Sequence, residues 1–534
     1  MNKHRLSGNA GGMIPIVFGG YFGWFHSSPF GCAGGTAALL CHGAGQDFSN
    51  GYRPFRLLAD HLANAGYPTL RFDYPGTGDS TDLGNESLWK AWQESLTEAA
   101  TWLRDQTGAA RLLLIGLRIG GTLAAMMAVE HEDIAGLVLI EPCLTGRSYA
   151  SQLATEAKLR GAQRREDGIE VGELLFTSAC LDQMRSTELA RLLLPSALPV
   201  AIFSRLPEEK LRTRLEPWRE RNVNFFLGEL GGLEAMLRPN HHSGEPELDP
   251  AALISWLHRD IPPNPPSRAL PSLPEPEALF LPGCMETLLR FGVAWHLTGI
   301  LCRPKFCRVP GFAVLICNSG GNPRHGFARF GVECARALAR AGIASLRFDF
   351  AGLGDSIHYS GDADLQTDVF AEDRTADISA ALDALEALGF SRFALHGLCS
   401  GAYHALHGAC AEPRISQLLA VNLPWFSLQH ERPGPGSVAQ SCMRTLASRN
   451  AASLFLFGEQ DAGLKQFEKH FGASGNRMPA PSGIRLRVLS GLDHELTTAW
   501  MRQKVAEEIV NFVQTHQAGL WFPEIEGERG YGHS

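Results

Sequence analysis

Short, unbroken apolar runs alternate along this chain with longer stretches in which apolar residues recur every three or four positions. The runs at residues 36–41 (TAALLC) and 312–317 (FAVLIC) have the length and content of strands covered on both faces. Each leads into a Gly-rich turn, then a helical pattern at residues 53–65 and 327–341, then another apolar run. A second helical stretch follows in each half, and after it strands at residues 110–116 and 392–397. Strands and helices alternating at this spacing predict βαβ units and an α/β fold, with a mostly parallel, doubly wound sheet formed twice.

The halves agree in detail as well as in rhythm. Residues 70–80 (LRFDYPGTGDS) and 346–356 (LRFDFAGLGDS) match at eight of eleven positions. Leu346 minus Leu70 and Cys317 minus Cys41 both give 276, so this part of the two copies aligns without a gap. Residues 261–276 hold seven prolines in sixteen positions and read as a semi-rigid linker. The chain therefore divides into an N-terminal domain at 1–260, a linker at 261–276 and a C-terminal domain at 277–534, related by duplication. A length of 534 residues already exceeds one hydrophobic core. The net charge of −8 has no basic stripe, which argues against a nucleic-acid partner. No run reaches the ~20 apolar residues of a membrane span. The first residues lack the apolar core of a secretory signal, and the twelve cysteines show neither C-x-x-C nor paired spacing. They read as free thiols of a cytoplasmic protein. The Gly-rich turns lack the Lys-Ser/Thr of a phosphate loop and no metal cluster is visible, so no cofactor or metal is expected.

Candidate chemistry sits where the strands at 110–116 and 392–397 end. The following turns read Gly116-Leu117-Arg118-Ile119-Gly120 and Gly397-Leu398-Cys399-Ser400-Gly401. A strand-to-helix turn of this form forces its middle residue into a strained conformation and exposes it to a substrate. The positive end of the new helix favours a thiolate at Cys399. Arg118 cannot serve as a nucleophile, since its guanidinium stays protonated. Two later strands of the second half end in further candidates, Asp461 after LFLFGEQ and His494 after LRVLSGLD. In this order His494 would take the thiol proton and Asp461 would orient the imidazole, with Glu459 and Asp493 as local competitors for the acid. An oxyanion hole would use the amide of Ser400 and a second amide near Ser319 or Gly320. A histidine or aspartate at such a place is also common as a plain loop or core residue. It is the sequence of three that favours a triad.

With these residues in place the chain resembles the α/β-hydrolase superfamily, specifically its serine-aminopeptidase-like and exosortase-associated hydrolases. The marks are the Gly-rich turn, R-F-D-x-x-G-x-G-D-S, the elbow, and the tail Gly491-Leu492-Asp493-His494-Glu495-Leu496-Thr497. Cysteine in place of the usual serine resembles dienelactone-hydrolase-type enzymes and Cys-containing thioesterase domains. The first half is similar to degenerate G-L-R-x-G members: Ala235 falls about where His494 would be, His241 and His242 follow, and Glu208 and Glu209 could supply an acid. Arg118 would either bridge internal acids such as Glu141 or bind an anion. Residues 141–195 and 424–450 (with Trp425 and Phe426) occupy the position of cap insertions.

The expectation is an enzyme whose second half transfers an acyl group through Cys399, and whose first half is non-catalytic. A thiol exchanges readily with thioesters, so the leading substrate is an acyl thioester on CoA or a carrier protein, with a thioesterase or acyltransferase outcome. A small-ester or lactone hydrolase is the alternative within the class. A non-catalytic scaffold or binding protein is the alternative outside it.

Overall fold

The computed structural model describes residues 12–29, 34–84, 87–161, 167–238, 248–263, 278–357, 373–427, 434, 436–478 and 483–517. Most of the Pro-rich stretch and both His241 and His242 lie outside the described residues. The strands of the first half are β1 (Met13–Phe18), β2 (Tyr21–His26), β3 (Thr36–Cys41), β4 (Thr69–Phe72), β5 (Arg111–Leu117), β6 (Ile134–Ile140), β7 (Gly168–Val171), β8 (Leu174–Thr177), β9 (Val200–Phe203) and β10 (Phe225–Gly228). Those of the second half are β11 (Leu279–Leu281), β12 (Cys284–Phe291), β13 (Leu297–Pro304), β14 (Phe312–Ile316), β15 (Ala344–Asp349), β16 (Arg392–Leu398), β17 (Ile415–Val421), β18 (Ala452–Gly458) and β19 (Ile484–Leu489).

Eight strands of the first half form one sheet in the order β1-β2-β4-β3-β5-β6-β9-β10, and the second half forms another in the order β11-β12-β13-β15-β14-β16-β17-β18-β19. Apart from β11 the two orders are the same. Pairing is parallel from β4 to β10 and from β15 to β19. Each sheet is the expected mostly parallel, doubly wound α/β sheet, with a buried apolar cluster on each face. The antiparallel hairpins β1–β2 and β12–β13 were not read from the sequence, because the first is an apolar run broken only by Gly19-Gly20 at positive φ. The first helix starts at Gln46, seven residues before the expected start. Polar residues and Pro54 hide its buried face of Phe48, Tyr52 and Phe55.

The repeated R-F-D-x-x-G-x-G-D-S segments do more than turn the chain. In each, the first Asp accepts the amide of the second, Asp79 N–H to Asp73 at 2.8 Å and Asp355 N–H to Asp349 at 3.0 Å. Gly78 and Gly354 sit at φ 48° and 49° within this loop, and a Cβ on either would strike that carboxylate. The two loops then face one another across the halves. Arg71 of the first copy pairs with Asp355 of the second, and Arg347 of the second pairs with Asp79 of the first at 3.0 Å. Both pairs are essentially free of solvent. Arg56 donates to the carbonyls of Gly354 and Ser356, while Arg329 donates to those of Gly78 and Ser80. The exchange of Arg71–Asp355 for Arg347–Asp79, at equivalent positions, is the pattern of a two-fold interface within one chain, while Arg56 and Arg329 reach equivalent carbonyls from non-equivalent positions.

One extra cation breaks the symmetry. Arg324 meets Asp79, Asp349 and Asp355, each at 2.7 Å, where the first half has Phe48 at the matching position. Glu286 is fully buried between Arg347 and Arg336. Burial alone would raise its carboxyl, but the two guanidiniums outweigh that and hold it down at about 2. A carboxyl held low stabilises the fold above its ordinary value of 4.5, and that contribution is lost as pH falls from 4.5 towards 2. Glu286→Gln leaves two buried guanidiniums facing each other, and should cost about 3–5 kcal/mol at neutral pH. Urea unfolding from pH 7 down to 3 checks both points, with the gap between variant and parent narrowing at the acid end.

Candidate active site

Cys399 closes β16 and opens the helix Ser400–Ala411 with φ 54° and ψ −122°. That backbone is costly for a residue with a Cβ, and the surroundings enforce it. The Cys399 amide donates to the Val421 carbonyl at 3.0 Å. A Cβ on Gly397 would come within 2.1 Å of Gly401 backbone, and one on Gly401 within 2.4 Å of the Asn318 carbonyl oxygen. Arg118 occupies the same elbow, with φ 54°, ψ −119° and its amide on Ile140 at 3.0 Å. The strained turn therefore persists in the half that has no nucleophile.

Asp461, His494 and Cys399 come together. Asp461 follows β18 and caps the helix Ala462–Phe471, with Oδ1 accepting the Gly463 amide at 2.7 Å. Its other oxygen, Oδ2, lies 2.6 Å from His494 Nδ1. The buried carboxylate is thus fixed by a helix N-terminus on one side and aims the imidazole on the other. Hydrogen bonds from Asp461 first, and then from the Cys399 sulfur, raise the His494 imidazole to about 10 against the opposing effect of burial. Glu459 is exposed, and Asp493 accepts the amide and hydroxyl of Thr497.

Asn422, which the sequence reading passed over, holds the histidine loop. It sits at φ 48° just after β17, donates to the carbonyls of Asp493 and His494 at 3.1 and 3.0 Å, and accepts the Gly458 amide at 3.0 Å. An asparagine directly after an apolar strand, where left-handed backbone is tolerated, was the available signal. Ser400 supplies the first free-pointing amide of its helix. Its hydroxyl accepts the Gly320 amide at 2.6 Å, so that amide is committed to the elbow, while Ser319 lies beside it on the same half-buried turn.

The first half differs at every matching place. Gly228 pairs with Phe203 and Arg487 pairs with Leu456, and both Phe203 and Leu456 lie beside the strand that supports the elbow. Counting on from Gly228 and Arg487, an offset of 259, puts Ala235 at the place of His494. Counting on from Phe203 and Leu456, an offset of 253, puts Glu208 at the place of Asp461. Glu208 is exposed and paired with Arg212. Arg118 does not meet the Glu141 carboxylate, as the sequence suggested. It pairs with Asp47 at 3.3 Å, donates to Gln152 at 2.6 Å and reaches only the backbone carbonyl of Glu141. The Glu141 carboxylate is taken by Ser204 and Arg205. Arg118, Glu141 and Gln152 line a cavity of about 800 Å³. Of the aromatic pair in the second insertion, Phe426 is buried among Phe455, Phe467 and Phe471, and Trp425 is 40% exposed.

A family model described as alpha/beta hydrolase fold matches residues 37–166. The chain has the alpha/beta hydrolase fold. A 2-hydroxy-6-oxononadienedioate/2-hydroxy-6-oxononatrienedioate hydrolase of Pseudomonas sp is 25% identical over 228 residues, which is 42% of this chain and 72% of that one. A thermostable monoacylglycerol lipase of Bacillus sp. (strain H-257) is 31% identical over 107 residues, covering 20% of this chain and 40% of that one. Among solved structures, a dienelactone hydrolase of Anabaena variabilis ATCC 29413 superposes with a TM-score of 0.34 at 17% identity, over 44% of this chain and 98% of that one. No helix among the described residues is long and apolar enough to cross a membrane.

The raised imidazole gives a signed expectation for this hydrolase-fold site. A histidine whose folded value lies above 6.5 contributes stability that is complete below 6.5 and lost as pH rises towards 10. In an NMR titration the His494 ring should change charge well above the ordinary range. Asp461→Asn, which removes the leading cause, should bring that midpoint down towards 6.5.

Proposed function

We propose that this protein is a cysteine-dependent acyl hydrolase or acyltransferase that works through an acyl-enzyme on Cys399, with an acyl thioester on CoA or a carrier protein as its substrate. What supports the reading above all is the relay: a sulfur held at a strained elbow, beside an imidazole that Asp461 holds at 2.6 Å. With the thiol proton already held on the raised His494 imidazole, the Cys399 sulfur attacks the acyl carbon. The leaving thiol takes that proton as the tetrahedral intermediate collapses. Water or a second acceptor, deprotonated by His494, then attacks the thioester on Cys399 and frees the sulfur. The developing oxyanion would be met by the amides of Ser400 and Ser319, with Gly320 bracing Ser400 rather than facing the substrate.

Thiol chemistry favours thioesters, since attacking and leaving groups then have similar acidity. A small-ester or lactone substrate is the second reading, and the lipase among the relatives is what speaks for it. The first half is a duplicated domain that has lost the chemistry, because Arg118, Ala235 and an exposed Glu208 stand in the three roles. Its arginine is structural: three partners already satisfy the guanidinium.

Incubation with an acyl thioester, followed by peptide mass spectrometry, should find the acyl group on Cys399. Cys399→Ala should abolish turnover, with a loss on the order of 10³-fold or more, and Cys399→Ser should fold but react slowly. Full turnover in the alanine variant would remove the proposal. Arg118→Ala orphans the partly buried Asp47, so unfolding should become easier by about 1–3 kcal/mol with KM unchanged. A raised KM at unchanged stability would instead make Arg118 an anion-binding residue.

A further inference from the structure

Several bonds leave the first half and end on the segment that carries His494. Arg160 Nη1 donates to Glu495 at 3.2 Å, and the Arg160 carbonyl accepts from the Thr497 hydroxyl at 3.4 Å. The Glu170 carboxylate accepts the Ala499 amide. Arg502, with its side chain 1% exposed, donates to the Gly172 carbonyl at 3.2 Å. The same guanidinium donates to the carbonyls of Leu496 and Thr497 at 3.4 and 3.0 Å, with Nε on Glu333 at 2.9 Å. The C-terminal flank of His494 is thus moored to the first half. Its own half supplies Asn422 on the carbonyls of Asp493 and His494.

Arg160 is a fixed post rather than a loose surface cation. Its Nε donates to Glu156 at 3.2 Å and its Nη2 to Gln46 at 3.0 Å, while the guanidinium lies 5.2 Å above the Phe327 ring. A planar fork held by several partners keeps its direction, which a single exposed ion pair does not. β19, the strand before the loop, is an edge strand with mostly uncovered residues.

We infer that the half without a nucleophile completes the active site of the other half: its residues around Arg160, Glu170 and Gly172 hold the His494 loop in register, and Arg160 is a positioning residue for the general base. The inference rests on the reading of Cys399 as nucleophile and His494 as base. Arg160 touches neither reacting atom. It acts through Glu495, the residue next to His494, and a displacement of about 1 Å in a base can cost as much as a hundredfold in rate.

The test uses the full chain and needs no substrate. Alkylation by iodoacetamide is followed peptide by peptide in the parent, His494→Ala, Arg160→Ala, Arg160→Lys, Glu495→Gln and the Arg160→Ala/Glu495→Gln double variant, with exposed Cys307 as the internal reference. Cys399 should react faster than Cys307 in the parent and slow sharply in His494→Ala. Arg160→Ala should slow Cys399 about tenfold without touching Cys307, and Arg160→Lys should recover part of the loss. The double variant should be no slower than Arg160→Ala alone, because both side chains act through one contact. If Arg160→Ala does not fold, Glu495→Gln, a change at a half-exposed residue, carries the comparison and should show the same selective slowing. Parent-like alkylation of Cys399 in folded Arg160→Ala and Glu495→Gln, with the His494 dependence intact, overturns the positioning role and leaves the nucleophile standing. A Cys399 no faster than Cys307 in the parent, or indifferent to His494, overturns both. With an acyl thioester, the expected change in Arg160→Ala is a lower kcat at constant KM. A higher KM alone would make Arg160 a substrate contact and end the inference.

Discussion

Two buried arginine–aspartate pairs, Arg71 with Asp355 and Arg347 with Asp79, tie the two halves into one molecule. Removing such charges from water is expensive, and the expense is offset only when each ion keeps full hydrogen bonding. Here the repeated loops meet most of that condition for each other, with Asp79 Oδ2, Arg56 Nε and Arg324 Nε among the interface atoms left without a hydrogen bond. Every Asp that faces the other half also accepts bonds from its own half or from a second cation, and the arginines reach across to backbone carbonyls as well. The charges are satisfied only when both loops are present and docked. An arrangement in which the halves separate would strand several ions at once, so the interface behaves as part of the core rather than as a hinge.

The half with no nucleophile keeps a strained elbow all the same. The turn at Arg118 is braced by the same close glycine contacts as the one at Cys399. Geometry that chemistry needs in one half is retained by packing in the other. What differs is the filling: in the first site Arg118 is engaged by Asp47 and Gln152 beside a cavity, whereas in the second Asn422 and Asp461 hold the His494 loop beside the sulfur.

Much of this was legible in the sequence. Apolar runs bounded by Gly-rich turns marked the strands, and the order Cys399, Asp461, His494 after successive strands pointed to the residues that now lie in hydrogen-bonding reach. Less legible were features whose cause is non-local. The sequence marks Asp79 and Asp355 as repeat positions, but nothing in the spacing says that their partners are Arg347 and Arg71 from the other copy. Helix starts were misread where buried aromatics such as Phe48 and Tyr52 sit among polar residues, since periodicity cannot tell a polar side chain that points inwards. Arg118 was given the wrong acid for a related reason: Asp47 is 71 residues away, while Glu141 is near only along the next strand. Arg160 carried no signal, because its role depends on a loop 335 residues downstream.

That separation has a consequence for the order of events on the ribosome. The bonds from Arg160 to Glu495 and from Arg502 to Gly172 join segments 335 and 330 residues apart in the order of synthesis. Local helices and each sheet can form as their own residues emerge, but contacts of this sequence separation close last. A nascent chain will hold a folded first half and the Cys399 elbow before the His494 loop, 95 residues further on, has been made. The mooring for the histidine loop therefore stands ready on the first half before the loop itself exists.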